Sequence, residues 1–306
     1  MTNQRQTLTY LQERFRRAGL MPQIRFGQNF LIDLNLIDLI VRSADLSAKD
    51  VVLEIGTGMG SLTTKMALYA GAVVTVEIDP MLAQLAMQEI AALGNVTLLQ
   101  RDALRNKNNL HDEVLQTVKE KMASIPGSRL KLVANLPYNV ATPIISNLLQ
   151  QEPLPAKMVV TIQKELAERI TAKPRTKDYS ALSIWIQSQC HGEIVRVMPP
   201  DVFWPRPKVE SAILAITPDP ALRSRISDLS YFHETVRALF FHRRKFLRSV
   251  VIAAMKDRLT KEQVDRLLAE AQLDGNCRAE ELSIEQIIDL VDRLKRAEQA
   301  AEDKNT

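Results

Sequence analysis

An apolar run, Leu132 to Ala134, ends on an amide, Asn135, and is followed at once by Leu136, the rigid Pro137 and the aromatic Tyr138. Earlier in the chain two other apolar runs end on acids, Glu77 and Asp102, and a third leads into the glycine series Gly56, Gly58, Gly60. An amide oxygen at Asn135 and the Leu136 carbonyl, aimed by Pro137, are acceptors, and Tyr138 is a flat face on which a base can stack. That combination suits the exocyclic amine of a nucleobase, which is a poor nucleophile because its lone pair is delocalised into the ring. Acceptors on its N–H groups favour a pyramidal nitrogen and stabilise positive charge as it develops in an in-line attack.

The glycines and acids supply the other half of such a reaction. At a strand-to-helix turn, missing Cβ atoms let a ligand approach the backbone, where N–H groups point at it. The spacing is G-x-G-x-G, one residue short of the dinucleotide pattern G-x-G-x-x-G, so the glycines alone are weak evidence. Glu77 can accept both hydroxyls of a ribose, and Asp102 can accept an adenine amino group. A single acid at a strand end is ordinarily a cap or turn residue, but three polar residues on one rim beside a glycine loop make a site. An adenosine-bearing cofactor there must bring an electrophile to the amine, and the sulfonium methyl of S-adenosylmethionine is one. Glu54 reads as a structural brace for the loop.

The elements that must position these residues alternate. "DVVLEIG" (50–56), "AVVTVEID" (72–79) and "NVTLLQRD" (95–102) read as strands; "SLTTKMALYAG", stopped by Gly71, and "PMLAQLAMQEIAAL", opened by Pro80, read as the helices between them. Such alternation predicts a doubly wound, Rossmann-like α/β sheet with ligands at the carboxyl ends of its strands. A polar helical stretch is expected over 105–129, and further strands at "LKLVAN", "KMVVTIQ", "EIVRVMP" and "SAILAITP". After Pro220 only helical patterns follow, beginning with "SYFHETVRALFFHRRKFLRSVVIAAM". The expected division is an α/β domain over 1–220, with a basic N-terminal extension, and a smaller all-α domain over 221–306.

Composition bounds the function. With 306 residues, 46% hydrophobic and 25% charged, the chain has the make-up of an ordinary globular protein. It carries no signal-peptide pattern and no apolar run of membrane-spanning length, and its two cysteines, Cys190 and Cys277, lie far apart with no metal-ligand spacing. The expected compartment is the cytoplasm, with no metal and no membrane partner. Net charge is +4, but residues 1–25 carry five Arg against Glu13, and 221–256 carry eight Lys or Arg against two acids. Two such segments suit a phosphate backbone if they act together, or are simply solvated helix faces.

In order along the chain, "RFGQNFLID", "EIGTGMGSLT", "VEIDP", "RDAL", "NLPYNVATPII", "QKELAERI", "FWPRPKVESAIL" and "FFHRRKFLRSV" resemble the adenine N6 dimethyltransferases of ribosomal RNA. The resemblance implies an S-adenosylmethionine-dependent methyltransferase domain with cofactor contacts at Asn29, Leu31, Gly56, Glu77, Asp102 and Asn135, beside Gly58 of the glycine loop. It further implies that Gln28 shapes the site and that Phe203 stacks on the target base opposite Tyr138. "NLPY", "HRRKFLRS" and the helical C-terminus are similar to the branch that dimethylates two adjacent adenosines near the 3′ end of small-subunit RNA during ribosome biogenesis. The partner is then that RNA or a partly assembled small subunit, with the chain acting as a monomer. Arg14, Arg16, Arg17, Arg243, Arg244, Lys245 and Arg248 are expected to contact phosphates. "DYSALSIWIQ" departs from the family in having Ser180 and Ala181 where a glycine-containing run is usual. The competing readings are a large-subunit enzyme of the macrolide-resistance type, a noncatalytic RNA-binding assembly factor and a nicotinamide dehydrogenase. Intact Asn135, Pro137 and Tyr138 disfavour the second, and the absence of a catalytic Lys, Tyr or His group beside the glycine loop disfavours the third.

Overall fold

The computed structural model describes residues 8–23 and 26–302; Arg5 and Arg25 of the basic N-terminal segment lie outside them. Seven strands form the central sheet: β1 (Asp50–Ile55), β2 (Ala72–Glu77), β3 (Val96–Gln100), β4 (Arg129–Asn135), β5 (Lys157–Gln163), β6 (Cys190–Met198) and β7 (Ser211–Pro218). Their order is β3-β2-β1-β4-β5-β7-β6. The first five run parallel, and β7 enters antiparallel to β5, so the sheet is mixed. Chain order reverses direction at β1, between β2 and β4, which is where open α/β sheets bind ligands. Every residue of β1 and β2 is buried, as sheet strands covered on both faces require.

Burial extends to charge at the far end of the sheet. Lys131, 3% exposed, donates to Asp50 at 3.1 Å and to the Ala44 carbonyl at 2.9 Å. Each partner would be costly to bury alone. The pair fixes β1 against β4, and so sets the Gly56 turn beside Asn135 at the opposite rim.

Helices α1 (Leu8–Ala18), α2 (Leu34–Ala44), α3 (Ser61–Ala67), α4 (Pro80–Ile90), α5 (Asp112–Ala123) and α6 (Ala141–Leu148) belong to the same compact unit as β1 to β5. Asp79 caps α4 through Met81 N at 3.0 Å, and Pro80 occupies its first turn. The stretch 105–129 holds the expected helix, α5, after a short hairpin of Leu104–Asn106 with Asn109–Leu110. One expectation changes. Gly71 does not stop a helix, since α3 ends at Ala67; a Cβ there would lie 2.2 Å from the Ala48 carbonyl oxygen, so close backbone approach selects the glycine.

A second compact unit comprises Glu168–Gly192 and Pro218–Thr306. It holds the end of α7 (Lys164–Ile170) together with α8 (Ala181–Gln187), α9 (Pro220–Arg223), α10 (Leu229–Phe241), α11 (Leu247–Ala254), α12 (Lys261–Glu270) and α13 (Ile284–Glu302). A division at 220 therefore misses the 168–192 segment. That segment groups with the C-terminal helices because Trp185 packs on His233 (4.4 Å between ring centroids), Arg175 N donates to Glu280 O at 2.9 Å, and Asp219 N donates to Gln189 O at 2.8 Å. Ser180 precedes α8, and its N–H donates to Ser183 Oγ at 2.9 Å. The run 229–254 is broken: 242–246 is a turn between α10 and α11, with Lys245 N on His242 O at 2.9 Å.

Candidate active site

Rim residues of β1, β2 and β4 enclose a cavity of about 320 Å³, within the usual range of about 300 to 1,000 Å³ for small-molecule sites. Gly56 opens the loop after β1 with φ +89°, a left-handed conformation that favours glycine, and its N–H donates to Val76 O at 2.8 Å. Its missing Cβ faces Pro137, whose Cδ would lie 3.5 Å away. The glycine turn and the proline turn thus form adjoining walls.

Glu77, the last residue of β2, accepts from Gly58 N at 2.8 Å and from Asp79 N at 3.0 Å. Burial pushes its carboxyl above the ordinary range, and these two backbone donors oppose that. Each oxygen retains a lone pair, so the group can still accept ribose hydroxyls. Asp102 lies two residues past β3 in a turn closed by Leu104 N on its Oδ1 at 2.9 Å, which leaves its other oxygen open at the rim.

Asn135 ends β4, and its Nδ2 donates to the Asn29 carbonyl at 2.8 Å. With the donor end committed, Oδ1 is the acceptor left to the cavity. Tyr138 is tethered through its hydroxyl to Ser211 Oγ at 2.6 Å, which fixes the ring that lines the cavity. Gln28 accepts from Gln23 N at 2.7 Å and donates to Asp79 at 3.0 Å, and so ties the segment before β1 to the start of α4.

Of the sequence-predicted residues, Gln28, Asn29, Gly56, Gly58, Glu77, Asp102, Asn135, Leu136, Pro137 and Tyr138 all line this cavity. Leu31 and Phe203 do not. Their backbones pair as two short strands, Phe30–Leu31 and Phe203–Trp204, and their side chains, 7% and 3% exposed, belong to the core cluster of Ile37, Met66 and Ile213. Leu31 does line a smaller pocket that adjoins this cavity at Gly56, Gly58 and Asn135, whereas Phe203 lines neither. Sequence reasoning missed Ile78, Ala103, Arg101 and Asn139. The first two follow the acids Glu77 and Asp102, and that adjacency was the available signal for apolar walls beside polar anchors.

Among the expected phosphate contacts, Arg14 is bound to Glu89 at 2.7 Å, Arg16 and Arg17 share Glu13, Arg243 meets Glu280, and Arg248 meets Asp265 at 2.6 Å. Arg244 and Lys245 are exposed and have no ion-pair partner among the described residues.

A parallel sheet with one late reversed strand, a glycine turn after β1 and acids beyond β2 and β3 defines a Rossmann-like methyltransferase. Residues 21–296 match the profile of the ribosomal RNA adenine dimethylases, and the chain belongs to that family, whose members depend on S-adenosylmethionine. It is 40% identical over 283 residues to the ribosomal RNA small subunit methyltransferase A of Bacillus cereus strain AH187, covering 91% of this chain and 93% of that one. The protein of the same name from Bacillus anthracis strain A0248 gives the same values. Among solved structures, a dimethyladenosine transferase from Plasmodium falciparum shares the fold with TM-score 0.73 at 23% identity, over 87% of this chain and 97% of that one. The 23S rRNA methyltransferase ErmE shares it with TM-score 0.60 at 24% identity, over 87% and 99%. The carboxylate pair and glycine cradle suit the adenosine and methionine ends of S-adenosylmethionine.

Proposed function

We propose that this enzyme dimethylates N6 of two adjacent adenosines near the 3′ end of small-subunit ribosomal RNA, as a step in small-subunit biogenesis. The name of its 40% identical relatives supports the small-subunit assignment. The observation that carries the site is one shared cavity: Glu77 and Asp102 line it together with the Asn135-Leu136-Pro137-Tyr138 turn.

Glu77 holds the ribose, Asp102 the adenine amine, and Gly56 with Asn29 the methionine end. S-adenosylmethionine, when bound, supplies an electrophilic sulfonium methyl. Tyr138 stacks on the target base, while Asn135 Oδ1 and the Leu136 carbonyl accept from its N6 hydrogens. In an in-line transfer of that methyl, with the thioether as leaving group, the charge that would grow on N6 would be stabilised by Asn135 Oδ1 and the Leu136 carbonyl. The cationic nitrogen then loses its proton to water, so no general base is required. A second round gives the dimethylated product. Arg244 and Lys245 contact phosphates directly, whereas Arg14, Arg16, Arg17, Arg243 and Arg248 exchange a carboxylate for a phosphate on binding.

Glu77→Ala tests the cofactor assignment. Loss of two charge-assisted hydrogen bonds to the ribose, each contributing roughly 1.5 to 3 kcal/mol, predicts binding of S-adenosylmethionine weakened about 10²- to 10⁴-fold in calorimetry. Tight binding of a nicotinamide dinucleotide with none of S-adenosylmethionine would overturn it.

A further inference from the structure

We propose that Asn139 reads the target base, donating through Nδ2 to one of the ring nitrogens, N1 or N7, that flank the amine of an adenine. The proposal deepens the function above and rests on the cavity being an adenine-methylating site. Four side-chain amides line the cavity: Gln28, Asn29, Asn135 and Asn139. Three are engaged, Gln28 with Gln23 N and Asp79, Asn29 with the Gly27 carbonyl at 3.3 Å, and Asn135 with the Asn29 carbonyl. Asn139 is exposed and makes no hydrogen bond to any described residue.

Its place is fixed by its neighbours. Val140 N closes the turn onto Pro137 O at 3.1 Å, α6 begins at Ala141, and the amide lies over Gly27, where a Cβ would come within 3.1 Å of Asn139 Oδ1. Gly27 has φ +64° and leaves the space this amide occupies. Asn135 and Asn139 therefore flank Tyr138 within a single turn. A base stacked on that ring presents N6 with a ring acceptor on either side, and a donor to N1 or N7 leaves the N6 lone pair free to react. At N1 the contact separates adenine from guanine, which carries a hydrogen there; at N7 it separates purine from pyrimidine. The alternative is that Asn139 is simply a solvated turn residue, of the type such turns favour.

The two are separated by single-turnover methylation of small subunits assembled with adenosine, 1-deazaadenosine or 7-deazaadenosine at the target position. Asn139→Ala should slow methylation of adenosine about tenfold, the worth of one good hydrogen bond, with S-adenosylmethionine affinity unchanged. Asn139→Asp keeps the shape and removes the donor, so it should be slowed at least as much. On one of the deaza substrates the wild type should be slowed by a similar factor, and Asn139→Ala should add nothing further, the non-additivity that marks a shared contact. Wild-type rates for Asn139→Ala on adenosine, or an undiminished loss on both deaza substrates, would overturn the proposal. A wild type inactive on adenosine would instead overturn the methylation reading on which it rests.

Discussion

Glu54 braces the glycine turn from within the sheet, through hydrogen bonds to two threonines. It is 1% exposed behind the glycine turn and accepts from Thr63 Oγ1 at 2.5 Å and Thr75 Oγ1 at 2.6 Å. Burial pushes its carboxyl up from 4.5 to about 8, so the neutral acid is the form the fold selects. Between those two values the folded chain holds a proton that the unfolded chain has released. Its stabilising contribution is therefore complete below pH 4.5 and is lost as pH rises through about 8. Glu54→Gln removes the titration while keeping the size. The melting temperature of the wild type should fall relative to that of Glu54→Gln as pH is raised from 4.5 to about 8, and parallel profiles would contradict this. The sequence shows Glu54 as a brace but not its protonation, because Thr63 and Thr75 become its partners only when α3 and β2 pack against β1.

At the scale of elements, what the sequence displays is whatever repeats or ends abruptly. Apolar runs that end at Glu77, near Asp102 and at Asn135 mark one rim, since parallel strands place their last residues side by side. Leu31 and Phe203 escape such a reading, because whether they line the cavity or fill the core depends on two short strands pairing across most of the chain. The helical pattern over 229–254 similarly hides a turn at 242–246, where four adjacent basic or histidine residues lie between α10 and α11 and Phe241 and Phe246 are 80% and 54% exposed. A turn presents its side chains more widely than one helix face. Neutralising Arg244 and Lys245 together should weaken RNA binding and reduce the slope of log K against log salt by roughly 1 to 2, from about 0.7 to 0.9 per phosphate contact. Cofactor affinity should not change. An unaltered slope, in filter-binding titrations at several salt concentrations, would make the pair ordinary solvated charges.

For the whole molecule, composition and element order indicate an α/β unit and a helical unit, but not that 168–192 belongs with the latter. The signals of that membership are tertiary: Trp185 against His233, Arg175 N on the Glu280 carbonyl at 2.9 Å, and Tyr179 against Phe240. None leaves a period or a punctuating residue in the sequence. The cavity that holds the acids and the Asn135 turn together is lined by residues of the α/β unit alone. On the proposed function, the RNA is held by phosphate contacts at Arg244 and Lys245 as well as by the target base, so chemistry and docking should separate by mutation. The most direct measurement is single-turnover methylation of assembled small subunits by Asn135→Ala, with RNA and S-adenosylmethionine affinities measured in parallel. If Asn135 acts chiefly on charge that develops at N6, the rate should fall roughly 10²-fold or more while RNA binding is nearly unchanged, and singly methylated adenosine should still precede the dimethylated product. A fully active Asn135→Ala enzyme would contradict the role of this turn and return weight to a noncatalytic assembly factor.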